Sequence, residues 1–371
     1  MVYKVRTVHA VRQWHNLPAT ILTVRSTVAV DEPHEHRRTT IEDVASHAQV
    51  SRAAVSKVLR NAYGVSDEMR LRVNASIAEL RYRPRISARG MRGRTFTVGV
   101  VINDITNNFI ADILLGLSSA LADTPFQTII AIAERSAPAA PAIESLYDRQ
   151  VDGILAISPL ADAEWLNDMG RRVPVVQLGV HLASTTFDTI VGDDSQGTEV
   201  MMRHLMGLGH RRIAHITHLD PAWISLPDRP HIIRQNEYRR IMREAGLEDE
   251  ISIITARFEE NTSYVESRRA FEGGLRPTAI FAGNDDAAFG AMRAAAQFDD
   301  LAGMSISGYD DSHMAANPRI SLTTVNQHGH EMGRRAAALL LERIEGRRES
   351  RYIELPTTLV VRSSTFPPRV P

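Results

Sequence analysis

The chain has 371 residues, 43% hydrophobic and 23% charged, and no cysteine. That length can bury two or three domain cores and excludes a disordered chain, while the absence of thiols excludes a disulfide framework, thiolate catalysis and zinc–thiolate sites, as suits a reducing compartment. The net charge of −1 conceals an asymmetry, since residues 39–95 carry 11 Lys/Arg against 5 Asp/Glu and residues 96–371 carry 26 against 36. A basic module thus precedes an acidic body, and only the module asks for a polyanionic partner.

Residues 1–38 read as a flexible N-terminal extension. The apolar stretch Leu17–Val24 stops at Arg25, and no run reaches the roughly 18 apolar residues of a membrane span. A soluble cytoplasmic protein without a membrane partner is expected. His34 and His36 in "DEPHEHRR" could ligate a metal in isolation, but the polar run reads more simply as solvated chain; no metal and no cofactor are expected.

Residues 39–83 contain three short helices. Ile41, Val44, Ala45 and Ala48 share one face of a helix that Thr40 can cap. After "AQV", Ser51 offers a second cap, and Val55, Val58 and Leu59 form a new stripe that leaves Arg52, Ala53, Ser56, Lys57 and Arg60 outside. A third helix starts at Ser66, where Asp67 and Glu68 suit the positive helix end, and continues to Tyr82. Two helices joined by a tight turn present the second one clear of the body, slim enough for a major groove. A plain helical hairpin with solvated charges would show the same bare pattern.

The wording "TIEDVASHAQVSRAAVSKVL" (residues 40–59) resembles the helix–turn–helix of the lactose-repressor/galactose-repressor (LacI/GalR) family, Thr-Ile/Leu-x-Asp-Val-Ala-x-x-Ala-Gly-Val-Ser-x-x-Thr-Val-Ser-Arg-Val-Leu. It departs at Gln49 for the turn glycine, Ala54 for threonine and Lys57 for arginine. The resemblance implies that Arg52 and Ala53 read bases, that Lys57 makes the next turn's base or phosphate contact, and that Thr40, Ser51 and Ser56 sit at phosphates. Arg52 could fork onto guanine, whereas Ala53 offers only a methyl surface.

Residues 84–95 read as a hinge helix or linker. "RYRPRISARGMRGR" (residues 81–94) holds six arginines and no acid, and Pro84, Ala88 and Met91 resemble the family's Pro-x-x-x-Ala-x-x-Leu hinge. The resemblance implies paired hinge helices in the minor groove, with Ala88 in the hinge pattern, Met91 at the wedge position and Arg85, Arg89 and Arg92 supplying charge beside it.

Residues 96–366 alternate buried strands with amphipathic helices, and 367–371 are a tail. Strands are expected at 96–102, 128–133, 153–158 and 173–179 and again at 212–217, 251–255, 278–283 and 305–310. This is the pattern of an α/β body of two doubly wound lobes, with ligand sites beyond the strands' carboxyl ends. No phosphate loop, dinucleotide fingerprint or serine elbow is present, and Lys4 and Lys57 are the only lysines, so catalysis is not expected. The paired acids in "GDD" (192–194) and "NDD" (284–286) each follow a strand and open a helix, where they can cap it or bind a ligand.

"LMGLGHRRIAHI", "PTAIFAGNDDAAFGAMRA", "SISGYDDS", "LTTVNQ" and "LPTTLVVRSST" resemble the same family's effector domain, a periplasmic-binding-protein-like core. The resemblance implies an arginine gripping the ligand at Arg234, an acid on its hydroxyls at Asp285, an aromatic stacking place at Phe258, and lining by Asn103, Asn107, Phe109 and Asp194. The expected protein is a homodimeric repressor of near-palindromic operator DNA with a sugar-like effector. A solute-binding or transport receptor with the same core is the rival, disfavoured by the DNA-binding head.

Overall fold

The structure is a computed structural model that describes residues 39–59, 62–82, 94–134, 137–218 and 227–368. The chain divides into two compact units, residues up to Pro84 and residues from Arg85 onward. The extension 1–38 and the hinge candidates Arg85, Ala88, Arg89, Met91 and Arg92 lie outside the described residues.

The first unit, the head, contains α1 (Ile41–His47), α2 (Arg52–Leu59) and α3 (Asp67–Glu79). Thr40 and Asp43 close a capping box at the start of α1, and Ser66 accepts from the Met69 N–H at the start of α3. The turn between α1 and α2 passes through Gln49 at φ 53°, the left-handed region that glycine occupies without steric cost. Val44, Ala45 and Ala48 meet Val55 and Val58 and are closed over by Val73 and Tyr82. His47 Nδ1 and Ser76 Oγ, 3.0 Å apart, tie α1 to α3.

The second unit, the core, has two lobes. The chain first builds β1 (Thr97–Ile102), α4 (Asn108–Leu121), β2 (Gln127–Ile132), α5 (Ala140–Asp148), β3 (Gly153–Ile157), α6 (Ala163–Arg172), β4 (Val175–Leu178) and β5 (Asp188–Gly192). It crosses to the second lobe for α7 (Asp194–Gly207), β6 (Ile213–His218), α8 (Pro230–Glu244), β7 (Ser252–Ala256), α9 (Glu260–Glu272), β8 (Ala279–Ala282), α10 (Asp285–Ala295), β9 (Ser305–Ser307) and β10 (Thr324–Asn326). It then returns for α11 (Gly329–Ile344) and β11 (Tyr352–Leu355), and crosses a third time into β12 (Thr358–Val360).

The first sheet runs β11-β5-β4-β3-β1-β2, the second β7-β6-β8-β9, all parallel in their registers; β10 and β12 form an antiparallel pair. Strands sandwiched between helices read as continuous apolar runs, which is why β1, β3 and β4 were legible. β5 and β11 were not among the expected strands. They join each other across more than 150 residues of chain, with Tyr352 opposite Thr189.

Helices α4 and α11 cross at van der Waals contact because each has a glycine there. A Cβ on Gly116 would lie 1.9 Å from the His330 carbonyl oxygen, and one on Gly333 would lie 2.0 Å from that of Ile113. Beneath them Ile113, Leu117, Ala336 and Leu340 cover β1 and β3.

Candidate functional site

In the head, α2 turns Arg52, Ala53 and Lys57 outward while Val55 and Val58 face the core. The Ser51 hydroxyl accepts from the Ala54 N–H at 3.2 Å, so it acts first as a helix cap. The Thr40 hydroxyl likewise donates to Asp43 Oδ2 at 2.8 Å, and Ser56 is half-buried. Arg52 Nη1 lies 3.0 Å from Glu42 Oε1 with both side chains mostly exposed. Such a pair exchanges readily for another anion, since exposed ion pairs contribute only about 0–1 kcal/mol.

In the core, a cleft between the lobes opens where the strands end. β1 delivers Asn103 and Asp104, β3 Ser158, β4 Gly179 and β5 Gly192; from the facing lobe β6 delivers His218, β7 Arg257 and Phe258, β8 Asn284 and β9 Asp310. This is the crevice beyond the carboxyl ends of parallel strands, duplicated face to face. Its cavity measures about 160 Å³ and is also lined by Asn107, Phe109, Asp194, His231, Arg234 and Gln327.

Asp194, at the N-terminus of α7, is the electrostatic centre. Its Oδ1 accepts from Arg234 Nε and its Oδ2 lies against His181 Nε2, both at 2.7 Å. Burial alone would raise this carboxyl's pKa, but Arg234 and His181 more than offset it and hold it below the usual range. Arg234 also donates through Nη1 to the Gly283 carbonyl at 2.6 Å and stacks 3.6 Å above the Tyr309 ring. Two of its donors are therefore spent inside the protein. Arg234 stands at the cavity wall beside Asp194, with the remaining three of its five donors not used by these two bonds.

Asp285 departs from its expected place at the ligand. It does not line the cavity; its Oδ2 accepts from the Ser312 N–H at 2.7 Å and its Oδ1 from the Thr324 hydroxyl at 2.6 Å. It heads α10 facing inward, and Asn284, which caps that helix through the Ala287 N–H, faces the cleft instead. Besides Asp194, the cavity is lined by the acids Asp104 and Asp310; Asp310 accepts from Gln327 and has φ 119°. Burial, with Asp285 nearby, pushes its pKa well above the usual carboxylate range.

Asn103, Asn107, Phe109, Asp194 and Phe258 do line the cavity. Phe258 meets His218 and His231 edge-on, with ring centroids 5.3 and 6.4 Å away. Burial, followed by the neighbouring His218 and Arg234, lowers the pKa of His231 to about 3, so it is a neutral wall. The sequence reading missed His181, His218, His231, Arg257, Asn284, Asp310 and Gln327. Arg257 and Gln327 directly follow a strand, and His181, Asn284 and Asp310 come within three residues of one, a signal that position alone supplies.

Polar ties join the lobes along one side of the cleft. Besides His181 to Asp194, the His181 N–H donates to the Asp228 carbonyl at 2.9 Å, and Arg229, buried, donates through Nη1 to the Pro159 carbonyl at 2.8 Å.

An outward helix in a capped two-helix unit, together with a ligand cleft between two α/β lobes, defines a ligand-responsive DNA-binding protein. Comparison with known proteins agrees. Residues 40–85 match the model for bacterial regulatory proteins of the lacI family, and residues 202–365 match that for a periplasmic binding protein-like domain. The HTH-type transcriptional repressor PurR of Vibrio atlanticus is 30% identical over 88% of this chain and 98% of its own; the ribose operon repressor of Escherichia coli is 30% identical over 82% and 93%. A crystal structure of the lac repressor dimer bound to operator and the anti-inducer ONPF superposes with a TM-score of 0.75 at 26% identity, covering 89% of this chain and all of that one. The chain belongs to the lacI family of bacterial regulatory proteins. Among the described residues no helix is long and apolar enough to cross a membrane.

Proposed function

We propose that this protein is a cytoplasmic, homodimeric repressor that binds a near-palindromic operator and whose operator affinity is set by a small, sugar-like effector in the interlobe cleft. It acts through binding, not catalysis. Arg52, Ala53 and Lys57 face base edges, with Thr40, Ser51 and Ser56 at phosphates and with Arg85, Ala88, Arg89 and Met91 at the minor groove. Asn103, Asn107, Phe109, Asp194, Arg234 and Phe258 form the effector wall.

The observation that carries this reading is that the cleft is lined by strand ends of both lobes while the chain crosses between them three times beside it. A ligand there touches both lobes at once and biases their relative angle, and whatever it does to operator affinity, operator does to its affinity. The relatives named above are repressors, and another solved relative is described as the regulator CelR in complex with cellobiose. Exposed Ile129, Ile130 and Ile132 on edge strand β2, with Leu115 on α4, offer an apolar face for a second copy.

Selection of bound sequences from randomised DNA is expected to return an inverted repeat whose affinity falls steeply with salt. Light scattering is expected to give about twice the 41.2 kDa chain mass. A stable monomer, or binding without sequence preference, would overturn the proposal.

A further inference from the structure

The hydrogen-bonding groups left unspent at the cavity are mostly donors. Asn107 uses its Oδ1 to cap α4, accepting from the Phe109 and Ile110 N–H groups at 2.9 and 3.3 Å. Asn284 uses its Oδ1 on the Ala287 N–H at 2.9 Å. Each cap leaves an amide Nδ2 without a described acceptor, and Asn284 is only 2% exposed, with the cavity at its side. Arg257 also lines the cavity, and its guanidinium forms no ion pair among the described residues.

The acceptors, by contrast, are largely taken. Both oxygens of Asp194 are engaged by Arg234 and His181. Asp310 accepts from Gln327, and Asp104 Oδ1 accepts from the N–H and hydroxyl of Thr106 at 2.8 and 2.7 Å. Burial, followed by the nearby Asp285, raises the pKa of Asp310, which weakens the negative charge it presents to an anion. Asn103, Ser158 and the Oε1 of Gln327 remain as neutral acceptors. A neutral sugar brings a proton on every hydroxyl and needs acceptors to receive them, whereas a carboxylate only accepts. The capped ends of α4 and α10 add partial positive charge from opposite lobes, and Phe258 supplies a flat apolar surface.

We propose that the effector is a monosaccharide-sized sugar acid, its carboxylate paired with Arg257, its other oxygens accepting from the Nδ2 groups of Asn107 and Asn284, and its apolar ring face on Phe258. This rests on the reading of the cleft as the effector site and gives the ligand its charge. Arg257 is then the specificity-determining residue, since a charge-assisted pair is formed only with the acid.

The test is calorimetric titration of the full chain with glucuronate and galacturonate, beside glucose, galactose and glucose 6-phosphate. The acids are expected to bind at least about ten-fold more tightly than their neutral parents. Arg257→Gln is expected to erase that preference and Arg257→Lys to restore most of it. Neutral sugars binding as tightly as the acids, or an acid preference surviving in Arg257→Gln, would overturn the proposal and leave the cleft as a sugar site. Binding of the phosphate ester alone would overturn the choice of carboxylate. If none of the five binds while operator binding persists, the sugar-like reading of the cleft falls with it.

Discussion

The head and the core each pair an arginine with a carboxylate, and the two pairs do opposite work. Arg52 and Glu42 meet at 3.0 Å with side chains 70% and 63% exposed; Arg234 and Asp194 meet at 2.7 Å with side chains 5% and 2% exposed. In water the first pair is nearly neutral in energy and can be exchanged for a phosphate or a guanine edge. In the interior, loss of either partner of the second strands a charge in a low dielectric. Burial, more than residue type, decides whether an arginine is open to a new partner or held by the one it has.

The comparison breaks most visibly at Arg234. Arg234→Met leaves Asp194 with His181 alone and is expected to cost about 3–5 kcal/mol of core stability by chemical denaturation. The double variant Arg234→Met/Asp194→Leu is expected to recover much of that, because the stranded charge is gone. A single variant as stable as the parent would place the pair in the same class as Arg52 and Glu42.

Arg52→Ala tests the other side. Stability is expected to change by less than about 0.5 kcal/mol, while preference at one base pair per half-site relaxes by about 1–3 kcal/mol in a randomised-operator selection. An unchanged base preference would move the reading role to another residue.

Burial of groups that could become cations also makes the core sensitive to acid. His215 lies between the Tyr238 and Phe281 rings, 5.2 and 4.8 Å from their centroids, and burial lowers its pKa from 6.5 to about 3. The folded value is below the unfolded one, so the unfolded chain takes up the proton first as pH falls. Stability from this group is complete above about pH 6.5 and is lost at about 1.4 kcal/mol per pH unit down toward about pH 3. His215→Phe is expected to remove one proton's worth of slope from a plot of unfolding free energy against pH. Equal slopes for variant and parent would show that another histidine carries the effect.

The smallest expected effect is local to the head. Gln49→Gly is expected to raise the head's melting temperature modestly in calorimetry of the full chain. It relieves the strain of φ 53°, by roughly 0.5–1 kcal/mol, partly cancelled by the greater unfolded-state freedom of glycine. A fall in melting temperature would mean the Gln49 side chain contributes contacts worth more than its strain.

The head was legible residue by residue because its signals are short-range. Thr40 with Asp43, and Ser66 with the Met69 N–H, are bonds across three residues, and the apolar stripes of α1 and α2 repeat within a turn or two. Gln49 stood out as the residue where a glycine was due, and its positive φ follows from the same turn. In the core the buried strands β1, β3, β4 and β8 were equally plain, though β5, also buried, was not, and Asn103, Asn107 and Phe109 could be placed because they follow the first of them. β11 could not, since its partner β5 lies far back in the sequence and its own four residues carry no periodic signal.

The amino-acid sequence by itself determined the helix starts, the turn and the two alternating lobes, which depend on hydrogen bonds and apolar repeats spanning a few residues, and its motifs carried the resemblance to the family. Only the tertiary structure decided which polar atoms are already spent. Arg234 meets Asp194 across 40 residues and the Gly283 carbonyl across 49, and Asp285 turns toward Ser312 and Thr324 while Asn284 takes the cleft. A side chain's type gives its donors and acceptors; what remains for a ligand is set by neighbours that folding brings from elsewhere in the chain, because each buried polar atom must first find its partner.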